Sequence, residues 1–241
     1  MQTDREKVDY LKGIFEETYI RDIVDRNAVR NRAEKEELLD VVASSIGGLT
    51  NPKKLSDTFK SVKGVTIHPD TVKSYLDYLE DSFLISKARR YDVKGKRYIN
   101  TPMKYYFSDC GLRNARLGFR QIEETYLMKN IIYNELCRRG YSVDVGCVED
   151  VFTCENGKRT QKQLEIDFIC NMGSKRMYIQ SALALPTLEK VRQEQRSLLK
   201  VNDSFCKMII VKDGISHYND DGVLILRLFD FLLGRTEEAI I

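Results

Sequence analysis

The sequence predicts a mixed α/β (α+β) chain in two parts, and three observations carry that prediction. The first third is dominated by amphipathic helical periodicity. A basic hairpin pattern follows it, around Asp92-Val93-Lys94-Gly95-Lys96. Beyond Gly118 a long helix gives way to several strand-like runs and then to helix and strand in alternation, which is a layered α/β pattern. The expected boundary lies near residues 110–120, giving a helical domain over 1–115 and an α/β domain over 116–241.

In the first part, Leu11, Ile14, Phe15, Tyr19, Ile23 and Val24 recur at three- and four-residue steps, so Val8 to about Asn27 reads as a helix. A second helix is expected from about Arg32 to Ile46, stopped by Gly47-Gly48. Asn51 can cap a helix that begins at Pro52, where the missing N–H costs nothing, and that helix reaches about Val62. The next starts near His68-Pro69-Asp70 and runs to about Asp81, burying Val72, Tyr75, Leu76 and Leu79. Phe83 to Tyr91 reads as a strand, Asp92–Lys96 as a turn, and Arg97-Tyr98-Ile99 as the start of a return strand; Lys104 to Ser108 is a further strand.

Three short helices followed by a basic hairpin is the order of a winged helix-turn-helix. The helix from Asp70 to Asp81 would be the recognition helix, with Thr71, Lys73, Ser74, Asp77 and Tyr78 facing outward. The hairpin bearing Arg89, Arg90, Lys94, Lys96 and Arg97 would be the wing, and Lys73 with these five cations forms the candidate nucleic-acid surface. The plain alternative is that cations on a hairpin only protect a sheet edge from pairing with another chain.

In the second part, Glu123 to Arg139 is a long helix closed by Gly140. Strands are expected at Tyr141–Val148, Val151–Cys154, Leu164–Cys170 and Arg176–Ala182, with a turn at Asn156-Gly157. A helix from Leu188 to Leu199 follows, then strands at Lys207–Val211 and Val223–Leu226, then a last helical turn at Leu228–Leu233.

The candidate chemistry sits in Glu165-Ile166-Asp167-Phe168-Ile169 and Tyr178-Ile179-Gln180-Ser181-Ala182. An acid within an apolar strand calls for a partner or a metal, because burying an isolated charge is costly. By simple alternation Glu165 and Asp167 share one face, Ile166 and Phe168 the other, and the next strand brings Gln180 near Asp167. The pattern is like the acidic centre of a restriction-endonuclease-like domain with much of its acid chemistry removed. Mg²⁺ takes several oxygen ligands at tight octahedral geometry. Asp167 stands alone, and Gln180 supplies an oxygen without charge. If the site were a nuclease, Asp167 and Gln180 would be its catalytic pair, Asp167 its Mg²⁺ ligand, and Glu165 or Glu135 a further acid. The other reading is an edge strand with one solvated face.

Composition narrows the classes. The chain has 241 residues, 42% hydrophobic and 31% charged, with a formal net charge of +3. That composition is globular, and the small charge neither demands nor opposes nucleic acid. No apolar run approaches the ~20 residues that span a bilayer, and Met1–Lys7 is polar, unlike a secretory signal. The six cysteines have no Cys-x-x-Cys pair and only two histidines accompany them, which predicts reduced thiols in a cytoplasmic protein and no structural zinc. The Gly47-Gly48…Lys53-Lys54 stretch lacks phosphate-loop spacing, so no nucleotide cofactor is expected there. His68 and His217 have no nucleophile beside them in the sequence.

Several stretches together resemble the C-terminal portion of a prokaryotic family of AAA-type ATP-binding proteins. They are Tyr10-Leu11-Lys12-Gly13-Ile14-Phe15, Tyr19-Ile20-Arg21-Asp22-Ile23, Leu49-Thr50-Asn51-Pro52-Lys53-Lys54, Tyr75–Asp81, Lys104–Asn114 and Glu165-Ile166-Asp167-Phe168. The resemblance implies a winged helix followed by a restriction-endonuclease-like domain of unknown function. It implies that the chain starts where the family's ATPase domain would have ended, as a truncated or stand-alone form. It also places Lys129 where many relatives carry a glutamate, and Gln180 and Ala182 where an acid and a lysine would stand. The resemblance therefore implies a binding or scaffold role rather than cleavage. DNA, an ATPase domain and a second copy of the chain are the expected partners. A metal-dependent DNA nuclease and a protein-interaction or oligomerisation domain are the alternatives.

Overall fold

The computed structural model describes residues 3–20, 32–120, 123–153 and 159–235. Within these the chain is a mixed α/β protein of the α+β class. It separates into two compact units, one of Met1–Ala88 and Thr101–Asn130, the other of Arg89–Asn100 and Ile131–Ile241.

The first unit is mainly helical. Helix α1 (Asp4–Ile14) opens with a capping box in which Thr3 and Glu6 satisfy each other's backbone N–H, and it runs into a π-helical segment, Phe15–Ile20. The remainder of the expected first helix, to Asn27, lies outside the described residues. Helix α2 spans Arg32–Ser44, two residues short of the expected stop. Helix α3 (Pro52–Lys63) begins as its sequence dictates: Asn51 Oδ1 accepts the Lys54 N–H at 2.8 Å, Pro52 fills the first turn, and Gly64 closes it at φ 71°. Helix α4 (Pro69–Asp81) has His68 as its cap. Leu38, Leu39, Phe59, Val72, Leu76 and Leu79 from these helices form one core with Leu84, Ile85 and Phe107.

A short helix, α5 (Cys110–Arg116), was not expected from the sequence. Asp109 caps it, its Oδ1 accepting the Leu112 N–H at 2.8 Å. Seven residues are too few to show a helical period, so the cap was its only local sign. In helix α6 (Glu124–Arg138), Asn130 is fully buried and clasps one residue. Its Oδ1 accepts the Phe107 N–H at 2.8 Å and its Nδ2 donates to the Phe107 carbonyl at 2.7 Å.

Strands β1 (Ile85–Asp92), β2 (Arg97–Phe107), β3 (Ser142–Thr153), β4 (Arg159–Met172), β5 (Lys175–Ala182), β6 (Cys206–Val211), β7 (His217–Tyr218) and β8 (Leu224–Arg227) form one sheet. Its order is β2-β1-β3-β4-β5-β6-β8-β7. The pairs β1/β3, β5/β6 and β6/β8 are parallel; β3/β4, β4/β5 and β7/β8 are antiparallel. Helix α7 (Leu188–Leu199) is the crossover that the parallel β5/β6 pair requires, and α8 (Leu228–Leu232) follows β8. Leu198 and Val201 pack with Ile166, Ile169, Tyr178, Ile209 and Ile225 as the core of the second unit.

Two expected breaks are absent. β2 is one strand rather than a return strand plus a separate Lys104–Ser108 run: it continues through Pro102, and just beyond it Thr50 and Met103 form an isolated antiparallel bridge, each N–H donating to the other's carbonyl at 2.8 Å. β3 likewise runs through Glu149-Asp150, because cations cover the buried Asp150. The expected Asn156-Gly157 turn and Cys154 lie outside the described residues.

Candidate functional site

Asp167 occupies a β-bulge. Opposite partners are Asp144↔Ile169 and Gly146↔Ile166, so β3 passes one residue, Val145, while β4 passes two, Asp167 and Phe168. An extra residue disrupts the ladder locally and leaves backbone groups to be satisfied in another way. Gln180 does this: its Oε1 accepts the Asp167 N–H at 2.8 Å. The Asp167 carboxylate in turn accepts the Ser181 N–H through Oδ2 at 3.1 Å, and Gln180 Nε2 lies 3.4 Å from the Glu165 carbonyl. The strands therefore bring Asp167 and Gln180 together, as their positions predict, and use both on the backbone.

The bulge also corrects the simple alternation. Ile166 and Ile169, three apart, share one core cluster, which a strict two-residue period forbids. Gly146 is required where the strands press together: a Cβ there would sit 2.7 Å from Ile166 Cβ and 2.9 Å from Ile169 Cδ1.

These residues do not fit a Mg²⁺ centre. Asp167 is 2% exposed and spends an oxygen on a backbone amide; Gln180 is neutral and its oxygen is engaged; Ala182 is buried without a donor. Glu135, the other candidate acid, is held by Arg138 at 2.7 Å and Arg139 at 2.7 Å. The hydrogen bond from Arg138, aided by Arg139, lowers its pKa. Among the described residues no group of three or more His, Cys, Asp or Glu side chains converges as a metal would need. Lys129 is half-buried on α6, and Glu165 is half-buried on β4.

The basic residues divide into two kinds. Arg90 is engaged within the sheet: β1 pairs with β3 at Arg90↔Val145, and its guanidinium donates to Gln163 Oε1 at 2.9 Å and contacts Cys147 Sγ at 3.3 Å. Arg89 lies 3.9 Å over the Tyr98 ring, whose hydroxyl donates to Asp144 Oδ2 at 2.9 Å. Asp144 is buried, and that burial raises its pKa against the opposing hydrogen bond from Tyr98. At the hairpin tip Lys94, Lys96 and Arg97 are exposed. Arg97 reaches Asp92 at 3.6 Å, while Lys94 and Lys96 make no ion pair among the described residues. The turn is built by Asp92, whose Oδ1 accepts the Gly95 N–H at 2.9 Å, with Lys96 at φ 50°. Lys73 is exposed on α4.

The site that sequence reasoning overlooked is Asp150. It is also 2% exposed, and Arg196 and Lys200 of the α7 region close over it, Lys200 at 2.7 Å. The Lys200 hydrogen bond, joined by that of Arg196, lowers its pKa. Its signal was weak: an acid beside Glu149 in a charged stretch reads as a strand end.

Residues 1–123, just over half of the chain, match a family described as Domain of unknown function (DUF8612). The chain belongs to this family. An uncharacterized protein of Haemophilus influenzae is 33% identical over 227 residues, which cover 94% of this chain and 52% of that protein. Uncharacterized protein MJ1544 of Methanocaldococcus jannaschii is 27% identical over 214 residues, covering 89% and 44%. The chain thus spans about half the length of the curated relatives it matches. The crystal structure of protein VC1899 from Vibrio cholerae aligns over 99% of this chain and 58% of that one, at 11% identity and a TM-score of 0.29, too low for an argument about fold. Among the described residues no helix is long and apolar enough to cross a membrane.

Proposed function

We propose that the chain is a non-catalytic nucleic-acid-binding or regulatory module of an AAA-type ATP-binding protein, with the hairpin tip as its DNA contact and the Asp167 region as a degenerate nuclease-like centre. The observation that carries the reading is a contrast in use: the acid and amide of the nuclease-like position are spent on backbone amides, whereas Lys94 and Lys96 stand exposed without an ion pair among the described residues. Exposed lysines on a rigid turn are placed to meet phosphates, whose neutralisation releases counterions. The ATPase part of the reading draws on the sequence resemblance and on relatives that extend well beyond the matched region.

Fluorescence anisotropy with short duplex and single-stranded DNA tests it. The wild type binds at low salt and weakens steeply as salt rises. Replacing Lys94, Lys96 and Arg97 by alanine removes three phosphate contacts, so the slope of log K against log salt falls by about 2 to 3. No binding at low salt ends the DNA reading and favours a protein partner such as an ATPase domain or a second copy. Cleavage in Mg²⁺ or Mn²⁺ that disappears in Asp167→Ala would overturn the non-catalytic part.

A further inference from the structure

A second surface in the Ile131–Ile241 part of the chain has the chemistry of a ligand site. A half-open cleft of about 970 Å³ lies where β5 and β6 begin, at Lys175 and Cys206. Its volume is at the upper end of small-molecule pockets, which run to about 1,000 Å³. Met172, Met177, Met208, Leu136 and Phe231 give it an apolar lining, and Phe205 and Tyr218 stand 40% and 53% exposed beside them. Two exposed aromatic rings over an apolar floor, with a few polar groups around them, make up the usual lining of a small-molecule pocket.

The charge around the cleft is one-sided. Five lining side chains are cationic, Arg138, Arg139, Lys175, Arg176 and Lys207, against two acids, Asp203 and Asp221. Both acids already accept hydrogen bonds: Asp203 from the Tyr178 hydroxyl at 2.6 Å, Asp221 from Gln195 Nε2 at 2.6 Å. Arg138 and Arg139 are matched by Glu135. Lys175 makes no hydrogen bond or ion pair among the described residues, and Lys207 donates only to the Asp203 carbonyl, at 2.8 Å. Arg176 donates through Nε to Asn171 and lies 5.6 Å from the Phe205 ring centroid, so a cation backs the aromatic face. The cleft therefore offers an excess of cations over acids, with Lys175 unpaired among the described residues, next to the exposed aromatic rings.

We propose that this cleft binds a nucleotide unit, its base against Phe205 and Tyr218 and its phosphate at Lys175 and Lys207. Aromatic side chains stack on any base, and lysines meet phosphate as point charges. The unit is either a free nucleotide or the end of a single strand, which share this chemistry. The site is separate from the hairpin and does not rest on the DNA reading above.

The test uses the whole chain with two probes at low salt, a ribose-labelled fluorescent ATP and a 5′-fluorescein dT hexamer. Lys175→Glu and Phe205→Ala each weaken binding about tenfold, the loss expected when a charged contact or a stacked base is removed. Lys175→Arg retains it. The Lys94/Lys96/Arg97 alanine variant leaves binding of the ATP probe unchanged, and hexamer binding is measured in that variant so that the hairpin does not contribute. All these side chains are at least partly exposed, and melting curves verify that the variants fold. Binding of the ATP probe with this pattern identifies a free nucleotide; the pattern with the hexamer alone identifies a strand end. No binding of either probe, or binding that survives either Lys175→Glu or Phe205→Ala, overturns the proposal.

Discussion

Asp150 and Asp167 are equally hidden, each 2% exposed, on adjacent strands of the same sheet, yet they are stabilised by different physics. Asp150 is covered by two long cations, themselves 47% and 44% exposed, so its partner charges remain largely in water. Asp167 holds a backbone amide across a bulge whose own irregular amide is held by Gln180. The difference teaches that a buried acid in a strand is not a sign of catalysis until its oxygens are accounted for. One of these acids is half of a surface clamp between a strand and a helix, and the other is part of the backbone's hydrogen bonding.

The most severe way to break the comparison is at Asp167. Asp167→Ala leaves the buried Ser181 N–H without its carboxylate and opens space in a closely packed bulge. Such a loss costs about 1–3 kcal/mol for the unsatisfied group alone, with little dependence on salt. Gln180→Ala, which strips the bulged Asp167 N–H of its acceptor, has the same sign and a cost of about 1–2 kcal/mol. Chemical denaturation of both variants at low and high salt measures this. If Asp167→Ala is as stable as the wild type, the acid is not structural and its place in the bulge needs a functional cause.

How much of this was legible in the sequence follows from the kind of signal each feature leaves. Asn51-Pro52 announced helix α3 because a cap and a helix-starting proline act locally. The apolar runs announced β5, α7 and β6, and the nearness of Gln180 to Asp167 followed from placing two strands side by side. The bulge did not, because it depends on the count of residues passed on the opposite strand, and only Gly146, pressed against Ile166, hints at it. Asp150 and its cations are 46 and 50 positions apart, beyond any local pattern. The sheet position of β1, which engages Arg90 with β3, is equally non-local, so the five hairpin cations read alike in the sequence and differ in the fold.

The smallest effect belongs to Asp150 and sharpens the comparison through salt and acid. Because Arg196 and Lys200 regain water when the acid is removed, Asp150→Asn costs about 1 kcal/mol or less, and added salt shrinks the difference. Its pH dependence has a definite sign. The folded carboxyl has a lowered pKa, held down by Lys200 and Arg196, while the unfolded one titrates near the ordinary value of about 3.9. The unfolded chain therefore binds the proton first as pH falls. The contribution is fully present above that ordinary value and is lost as pH drops through the lowered one. Melting curves of wild type and Asp150→Asn should thus differ at neutral pH and converge in acid, whereas Asp167→Ala should stay apart from wild type at every salt concentration. A salt-insensitive Asp150→Asn defect would mean that the clamp, like the bulge, is held by hydrogen bonding rather than by charge.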